Sequence, residues 1–266
     1  MLKAVESALR ASNNVVSLNV TALPNIPLIQ PGDDLVHIVL EGLAAGDLTL
    51  QTGDVLVITS KIVSKAEGRQ VRLDTVEPSE RAIELAAAAD KDARIVELIL
   101  RESVGISRQS RGVLVMEHRL GFISANAGID QSNIEHHEDH VLLLPLDPDA
   151  TAKTIHERLL AETGVAVGIV ISDSHNRPFR LGTMGVAIGL AGIPAILDFR
   201  GKPDLFGREM RVSMQAYGDL IASVGQLIGG EGAEGRPITL IRGLQFPPES
   251  GTARDLLRPP EQDLYR

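Results

Sequence analysis

Apolar residues occur in short runs separated by proline, glycine and charged clusters, and the runs change period along the chain. Residues 15–20 read as a first strand, broken by Leu23-Pro24-Asn25-Ile26-Pro27. Asp33 or Asp34 is placed to cap a helix running to about residue 43. Residues 54–59 are strongly apolar with little alternation, the pattern of a buried strand, and run into Ser60-Lys61-Ile62-Val63-Ser64-Lys65. Pro78-Ser79-Glu80 opens a long helix to about residue 101, in which 90–94 reads as a solvated face. Short strands are predicted at 105–107, 113–117, 122–125 and 141–144. An amphipathic helix over 149–160 leads into an apolar strand over 165–171. Residues 184–190 and 195–197 are further strands. Residues 213–228 have helical spacing (Met214, Leu220, Ile221, Val224, Leu227) and stop at Gly229-Gly230. A last strand covers 238–241, and the Pro-rich, charged segment from 246 reads as a loosely held tail. Met184 and Met214 read as core packing. The class is mixed α/β (α+β), without internal repeats.

At 266 residues the chain is long enough for one large domain or two lobes sharing a core, burying roughly 70–75% of its unfolded surface. It has no Cys, which excludes disulfides, thiolate catalysis and zinc–sulfur sites and fits a cytoplasmic protein. Its apolar runs are too short for a membrane span of about 20 residues, and residues 1–13 carry Lys3, Glu6 and Arg10 without a signal-peptide core, so no membrane is expected. The net charge of −9, no Trp and few other aromatics argue against a nucleic-acid surface.

Five polar clusters follow apolar segments. Leu23, Pro24, Asn25 and Ile26 form the first. Ser60, Lys61 and Lys65 form the second; the two lysines share a face if the segment is helical and suit a polyphosphate. The third runs from Asn126 through Asp130 to Asn133, in residues equally suited to turns. In the fourth, Ser172 to Arg180, the strand is expected to end in a polar loop: Asp173 and Ser174 suit Mg²⁺ or Mn²⁺, and Arg177 and Arg180 suit phosphate or carboxylate. The fifth is Gly229-Gly230-Glu231-Gly232-Ala233-Glu234-Gly235-Arg236, able to bring backbone amides close to a nucleotide without P-loop or dinucleotide-motif spacing. Together they fit a metal–polyphosphate site. Such a site should be locally basic, with Lys61, Lys65, Arg69, Arg177 and Arg180 to supply the charge.

With these residues in this order, 58–69, 126–133, 173–180, 185–189 and 198–201, the chain resembles the coenzyme F-420-0:L-glutamate ligases, the F-420 gamma-glutamyl ligase family, from about residue 20 to 243. The resemblance implies an unusual mixed-sheet fold, neither P-loop nor ATP-grasp. It implies a gamma-glutamyl ligase domain over 1–243, a tail over 244–266, and no nitroreductase-like domain of the kind actinobacterial relatives carry. The implied reaction is GTP-dependent: the substrate carboxylate is activated as an acyl phosphate, L-glutamate displaces phosphate, and further glutamates follow. Two Mg²⁺ or Mn²⁺ ions are implied, with K⁺ as an accessory. Asp130 and Asp173 match ligands of the first metal. Ser174 and Glu231 match those of the second, at positions where relatives vary between Thr and Ser and between Gln and Glu. Leu23 to Ile26, Ser60, Lys61, Lys65, Asn133 and Gly229 to Arg236 match GTP contacts. A homodimer is implied. Lys61 and Lys65 are the candidates for transition-state stabilisation, and Arg177 and Arg180 for holding a substrate carboxylate or phosphodiester.

His136, His137 and His140 read as a surface loop among Glu135, Glu138 and Asp139, not a metal cluster. His175 is kept as a minor candidate for a general base. Two alternatives stand beside the ligase. A metal-dependent nucleotide phosphohydrolase would use Asp130, Asp173 and the lysines without glutamate. A non-catalytic nucleotide-binding protein would need only the nucleotide contacts.

Overall fold

A computed structural model describes residues 16–135 and 138–263. Strand β1 is Asn19–Ala22; of the apolar run expected here, Val15 lies outside the described residues, and Val16 and Leu18 are exposed because pairing with the neighbouring strand begins at Asn19. Helix α1 (Leu35–Ala45) is capped by Asp34, whose carboxylate accepts from the amides of Val36 and His37. Strand β2 (Val55–Thr59) passes directly into α2 (Ser60–Ala66), then β3 (Gln70–Arg72). The long helix expected to 101 is two: α3 (Glu80–Ala89) and α4 (Ala93–Arg101). Asp90 adopts the left-handed conformation (φ 55°) and Asp92 caps the restart through the Arg94 amide, so 90–92 is a break and not a helix face.

Strands β4 (Ser103–Ser110), β5 (Val113–His118) and β6 (Ile123–Ala125) form an antiparallel sheet, and β7 (His140–Leu142) pairs with β3. Asp147 caps α5 (Pro148–Thr163), with Pro148 in its first turn. Strand β8 (Gly168–Arg177) does not end before the polar cluster: Asp173, Ser174 and His175 lie on the strand itself, paired with Val186, Gly185 and Met184 of β9 (Arg180–Ala191). The cross-strand ladder holds the chain extended where polarity alone suggested a loop. Strands β10 (Ile196–Asp198) and β11 (Met214–Ala216) form a hairpin sheet, so the first residues expected in the last helix are strand; Met214 is exposed, and α6 (Tyr217–Gly229) starts after it. Strand β12 is Ile238–Arg242.

The main sheet has the order β1-β12-β2-β8-β9, with β2 and β8 parallel and the other neighbours antiparallel. Strand alternation divides its residues between two faces. Leu56, Ile58, Ile169, Ile171, Ile238 and Leu240 pack in one core with α1, α2 and α5. Val55, Val57, Val170 and Ile241 pack in the other with Tyr217, Ile221 and Ala222 of α6. A further core joins α3 and α4 to Leu114 and Met116 of β5. Asp54, 1% exposed, takes a two-pronged bond from Arg242 (2.8 and 2.7 Å) that ties β12 to β2. Glu102, 8% exposed, ties the end of α4 to two other segments: Arg69 donates to it at 2.8 Å and Arg119 at 3.0 Å. Burial opposes its charge, but these guanidiniums and the nearby His118 ring more than offset that and hold the carboxyl at about 2. The segment beyond Gly243, expected to be loose, packs Leu244, Phe246 and Leu256 against the α6 face of the sheet and buries Ala253. The apolar pairing of these side chains outweighs the Pro-rich signal.

Candidate functional site

A cavity of about 820 Å³ opens at the carboxyl end of β2 and beside the middle of β8, where Ser172, Asp173 and Ser174 line it. Among the described strands of the main sheet β2 and β8 are the parallel neighbours; their parallel pairing ends at Thr59 and Ser172, and open α/β sheets gather ligands at the carboxyl ends of such pairs. Four of the five clusters line it: Ser60, Lys61 and Lys65 from α2, Asp130 and Asn133 from the 126–133 turn, Asp173 and Ser174 from β8, and the loop Gly229 to Arg236 after α6. From the first cluster only Ile26 does so. Leu23 is buried in the core, and neither Pro24 nor Asn25 is part of the lining.

The turn that carries Asp130 is built by left-handed residues. Asn126, Ala127 and Gly128 have φ of 50°, 53° and 68°. An added Cβ at Gly128 would run into Leu144. Asp130 is then pinned by reciprocal backbone bonds to Leu142 (3.0 and 2.9 Å). Its carboxylate accepts from Lys61 Nζ at 2.5 Å, from the Ser132 amide at 2.7 Å and from Ser132 Oγ at 3.1 Å. Partial burial works against its charge, yet the Lys61 ammonium and the Ser132 amide outweigh this and keep the carboxyl below its ordinary value. Burial, with the charge of Lys61, lowers the Lys65 ammonium from its own. Lys65 Nζ donates to the Asn133 carbonyl at 2.8 Å, and Asn133 Nδ2 donates to the Gly232 carbonyl at 3.0 Å, linking the two loops.

On β8, Asp173 accepts from Ser60 Oγ at 2.7 Å and meets His175 Nε2 at 2.9 Å. His175 packs against Phe122 with ring centroids 4.9 Å apart. Ser174 Oγ donates to Glu231 Oε1 at 2.6 Å and accepts from Gln226 Nε2 at 2.9 Å. Gln226 is therefore a site residue that the sequence reading missed, and Ser132, inside the third cluster, is one to which it gave no role. A Gln one turn before a helix end and a Ser in an Asx-rich turn are ordinary in composition and give no signal by themselves.

The expected basic lining is not found. Among the described residues, three cationic side chains line the cavity (Lys61, Lys65, Arg236) against five anionic ones (Asp130, Glu135, Asp173, Glu231, Glu234). Arg69 is bound to Glu102 and to the Leu144 carbonyl. Arg177 and Arg180 lie outside the lining because β8 and β9 continue past the cavity and carry them to the hairpin end, beside Phe179 and Leu181, which are 93% and 99% exposed. His136 and His137 lie outside the described residues, and His140 opens β7 opposite Arg72.

The donors offered to a metal are oxygens: the carboxylates of Asp130, Asp173 and Glu231 and the hydroxyl of Ser174. They fit Mg²⁺ or Mn²⁺. Among the described residues no three His, Asp or Glu side chains form a ready cage, so an ion here would complete its shell with phosphate oxygens and water, as Mg²⁺ commonly does.

This combination defines a class: a mixed α/β protein with an acidic, lysine-bearing cavity suited to cations and a polyanion together. The chain belongs to the F420-0:Gamma-glutamyl ligase family, whose model matches residues 24–243. It is 41% identical over 254 residues to the coenzyme F420:L-glutamate ligase of Methanopyrus kandleri, covering 94% of this chain and 98% of the relative. It is 38% identical to that of Methanothermobacter thermautotrophicus (94% and 100%) and 40% identical to that of Archaeoglobus fulgidus (94% and 96%). No helix among the described residues is long and apolar enough to cross a membrane.

Proposed function

We propose that this protein is a GTP-dependent ligase that joins L-glutamate through its amine to the terminal carboxylate of coenzyme F-420-0, giving an amide, GDP and phosphate, and that the same site adds further glutamates through the γ-carboxylate of the one before. The observation that carries the reading is one cavity at the end of β2 and along the middle of β8, which collects oxygen donors, two lysines and a glycine-rich loop in a chain of this family.

A carboxylate is a poor electrophile. Transfer of the γ-phosphoryl group to its oxygen gives an acyl phosphate and GDP; the glutamate nitrogen then forms the amide bond as the carbon–oxygen bond to phosphate breaks and the amine gives up a proton. Asp130 and Asp173 would hold one divalent cation and Ser174 with Glu231 a second, Mg²⁺ or Mn²⁺, with K⁺ as an accessory ion. When bound, these cations offset the charge that develops on the phosphoryl oxygens. Ser60 and His175 fix the Asp173 carboxylate, and Gln226 and Glu231 fix the Ser174 hydroxyl, so the oxygens are oriented before ligand arrives. Lys61 and Lys65 face the phosphates as point charges. Asn133 and the loop from Gly229 to Arg236 bring amides and carbonyls to the nucleotide, with Ile26 at its edge. The β8–β9 hairpin end, which carries Arg177 and Arg180, lies outside the cavity lining. The homodimer is supported by that same hairpin end, where Phe179 and Leu181 stand in solvent.

Phosphate release from GTP with Mn²⁺, measured with and without glutamate and F-420-0, tests the reading. A ligase releases phosphate only when both acceptors are present. Release from GTP alone at the same rate would favour the metal-dependent phosphohydrolase.

A further inference from the structure

Lys61 has no donor to spare. An ammonium carries three N–H groups. Here they go to Asp130 Oδ2 (2.5 Å), the Ser132 carbonyl (2.8 Å) and Ser132 Oγ (2.9 Å). Asp130 is equally committed, to Lys61 and to the amide and hydroxyl of Ser132. The pair lies in a cavity whose lining carries more negative than positive side chains. Lys65, by contrast, donates to a backbone carbonyl, and Asp173 is held by a serine and a histidine.

Consider each ligand arriving alone. A polyphosphate that takes Lys61 leaves the Asp130 carboxylate without its ammonium, facing a polyanion. A divalent cation that takes Asp130 leaves the Lys61 ammonium facing a dication. Breaking one half of a partly buried pair is costly because the other charge is left uncompensated. When both ligands arrive, each supplies the partner that the other removes.

We propose that the Lys61–Asp130 ion pair makes this cavity selective for a nucleoside triphosphate bound together with its divalent cation, and against either one alone. The inference rests on the nucleotide-and-metal reading above and adds the element that enforces joint binding. Coupling of this kind is reciprocal: whatever the cation does to nucleotide affinity, the nucleotide does to cation affinity. Asp130 thus has two opposed roles, holding the cation in the complex and guarding Lys61 against free nucleotide.

The opposed roles give the test. GTP affinity is measured by calorimetry in excess chelator, and Mn²⁺ affinity without nucleotide by electron paramagnetic resonance of the free ion. Asp130→Asn is expected to bind metal-free GTP about tenfold more tightly than the wild type. Asp173→Asn, which removes the same charge from the same cavity without freeing a lysine, should change it by threefold or less. Lys61→Met is expected to bind Mn²⁺ alone about tenfold more tightly, whereas Lys65→Met should stay within threefold of the wild type. The two arms are independent, so one variant failing to fold leaves the other decisive. Wild-type binding of Mn²⁺–GTP with Asp130→Asn no tighter than Asp173→Asn for free GTP, or Lys61→Met no tighter than Lys65→Met for Mn²⁺, would overturn the coupling alone. Absence of GTP binding to the wild type even with Mn²⁺ would take down the nucleotide reading and this inference with it.

Discussion

Replacing Gly185 by Ala is expected to damage stability and the placement of the Ser174 hydroxyl together. Gly185 sits on β9 directly opposite Ser174 of β8, against the backbone of α6. A Cβ added there would lie against the Ala222 carbonyl, 2.6 Å from its carbon and 2.8 Å from the Ser223 nitrogen. These are main-chain atoms of a helix, so no rotamer change relieves the clash, and β9 and α6 must separate. Overpacking of this kind costs about 1–3 kcal/mol. At roughly 2–4 °C per kcal/mol for a chain of this size, Tm should fall by several degrees. The separation also stretches the bond from Ser223 Oγ to the Gly185 carbonyl (2.9 Å) and moves Ser174 relative to Gln226 and Glu231. The assay is urea unfolding with a parallel Mn²⁺ titration. Gly105→Ala is the control: its added Cβ would meet only Glu117 Oε2 at 3.8 Å, an ordinary contact, and stability should stay within about 0.5 kcal/mol. If Gly185→Ala were as stable as that control, the close β9–α6 approach would not exist as described.

Glu102→Gln should destabilise the protein near neutral pH by about 3 kcal/mol, the free energy of lowering a carboxyl from 4.5 to about 2. Because the folded value lies below the unfolded one, this stabilisation is complete above about pH 4.5 and is lost as pH falls toward 2. Denaturant midpoints of the wild type and variant should therefore converge over that window; a constant difference down to pH 2 would refute the ion-pair origin. Phe179→Ser with Leu181→Ser should convert a dimer to monomers in light scattering after gel filtration, and a variant that stays dimeric would place the interface elsewhere.

The apolar strands were legible because their neighbours on both faces are apolar: β2, β12 and the first half of β8 follow directly from the runs at 54–59, 238–241 and 165–171. Pairing and local backbone conformation were not legible. The second half of β8 is polar and extends only because β9 pairs with it, which moved Arg177 and Arg180 away from the cavity. The 90–92 break rests on Asp90 entering the left-handed region and on Asp92 as a cap, a signal hidden among charges that also suit a helix face. In the site, the clusters that converge were recognisable by residue type, since oxygen donors, lysines and glycines each have a chemistry at fixed positions. Their balance of charge was not, because Arg69 is drawn to Glu102, and Gln226 enters only through the way α6 crosses β8.

The most direct test of the account is the mass of the product formed from F-420-0, L-glutamate, GTP and Mn²⁺ with the purified protein. The account predicts a gain of one or more glutamyl units with the wild type, and none with Asp173→Asn, whose amide would weaken the oxygen site that Ser60 and His175 orient. GTP consumed while F-420-0 keeps its mass, or full glutamylation by Asp173→Asn, would contradict it.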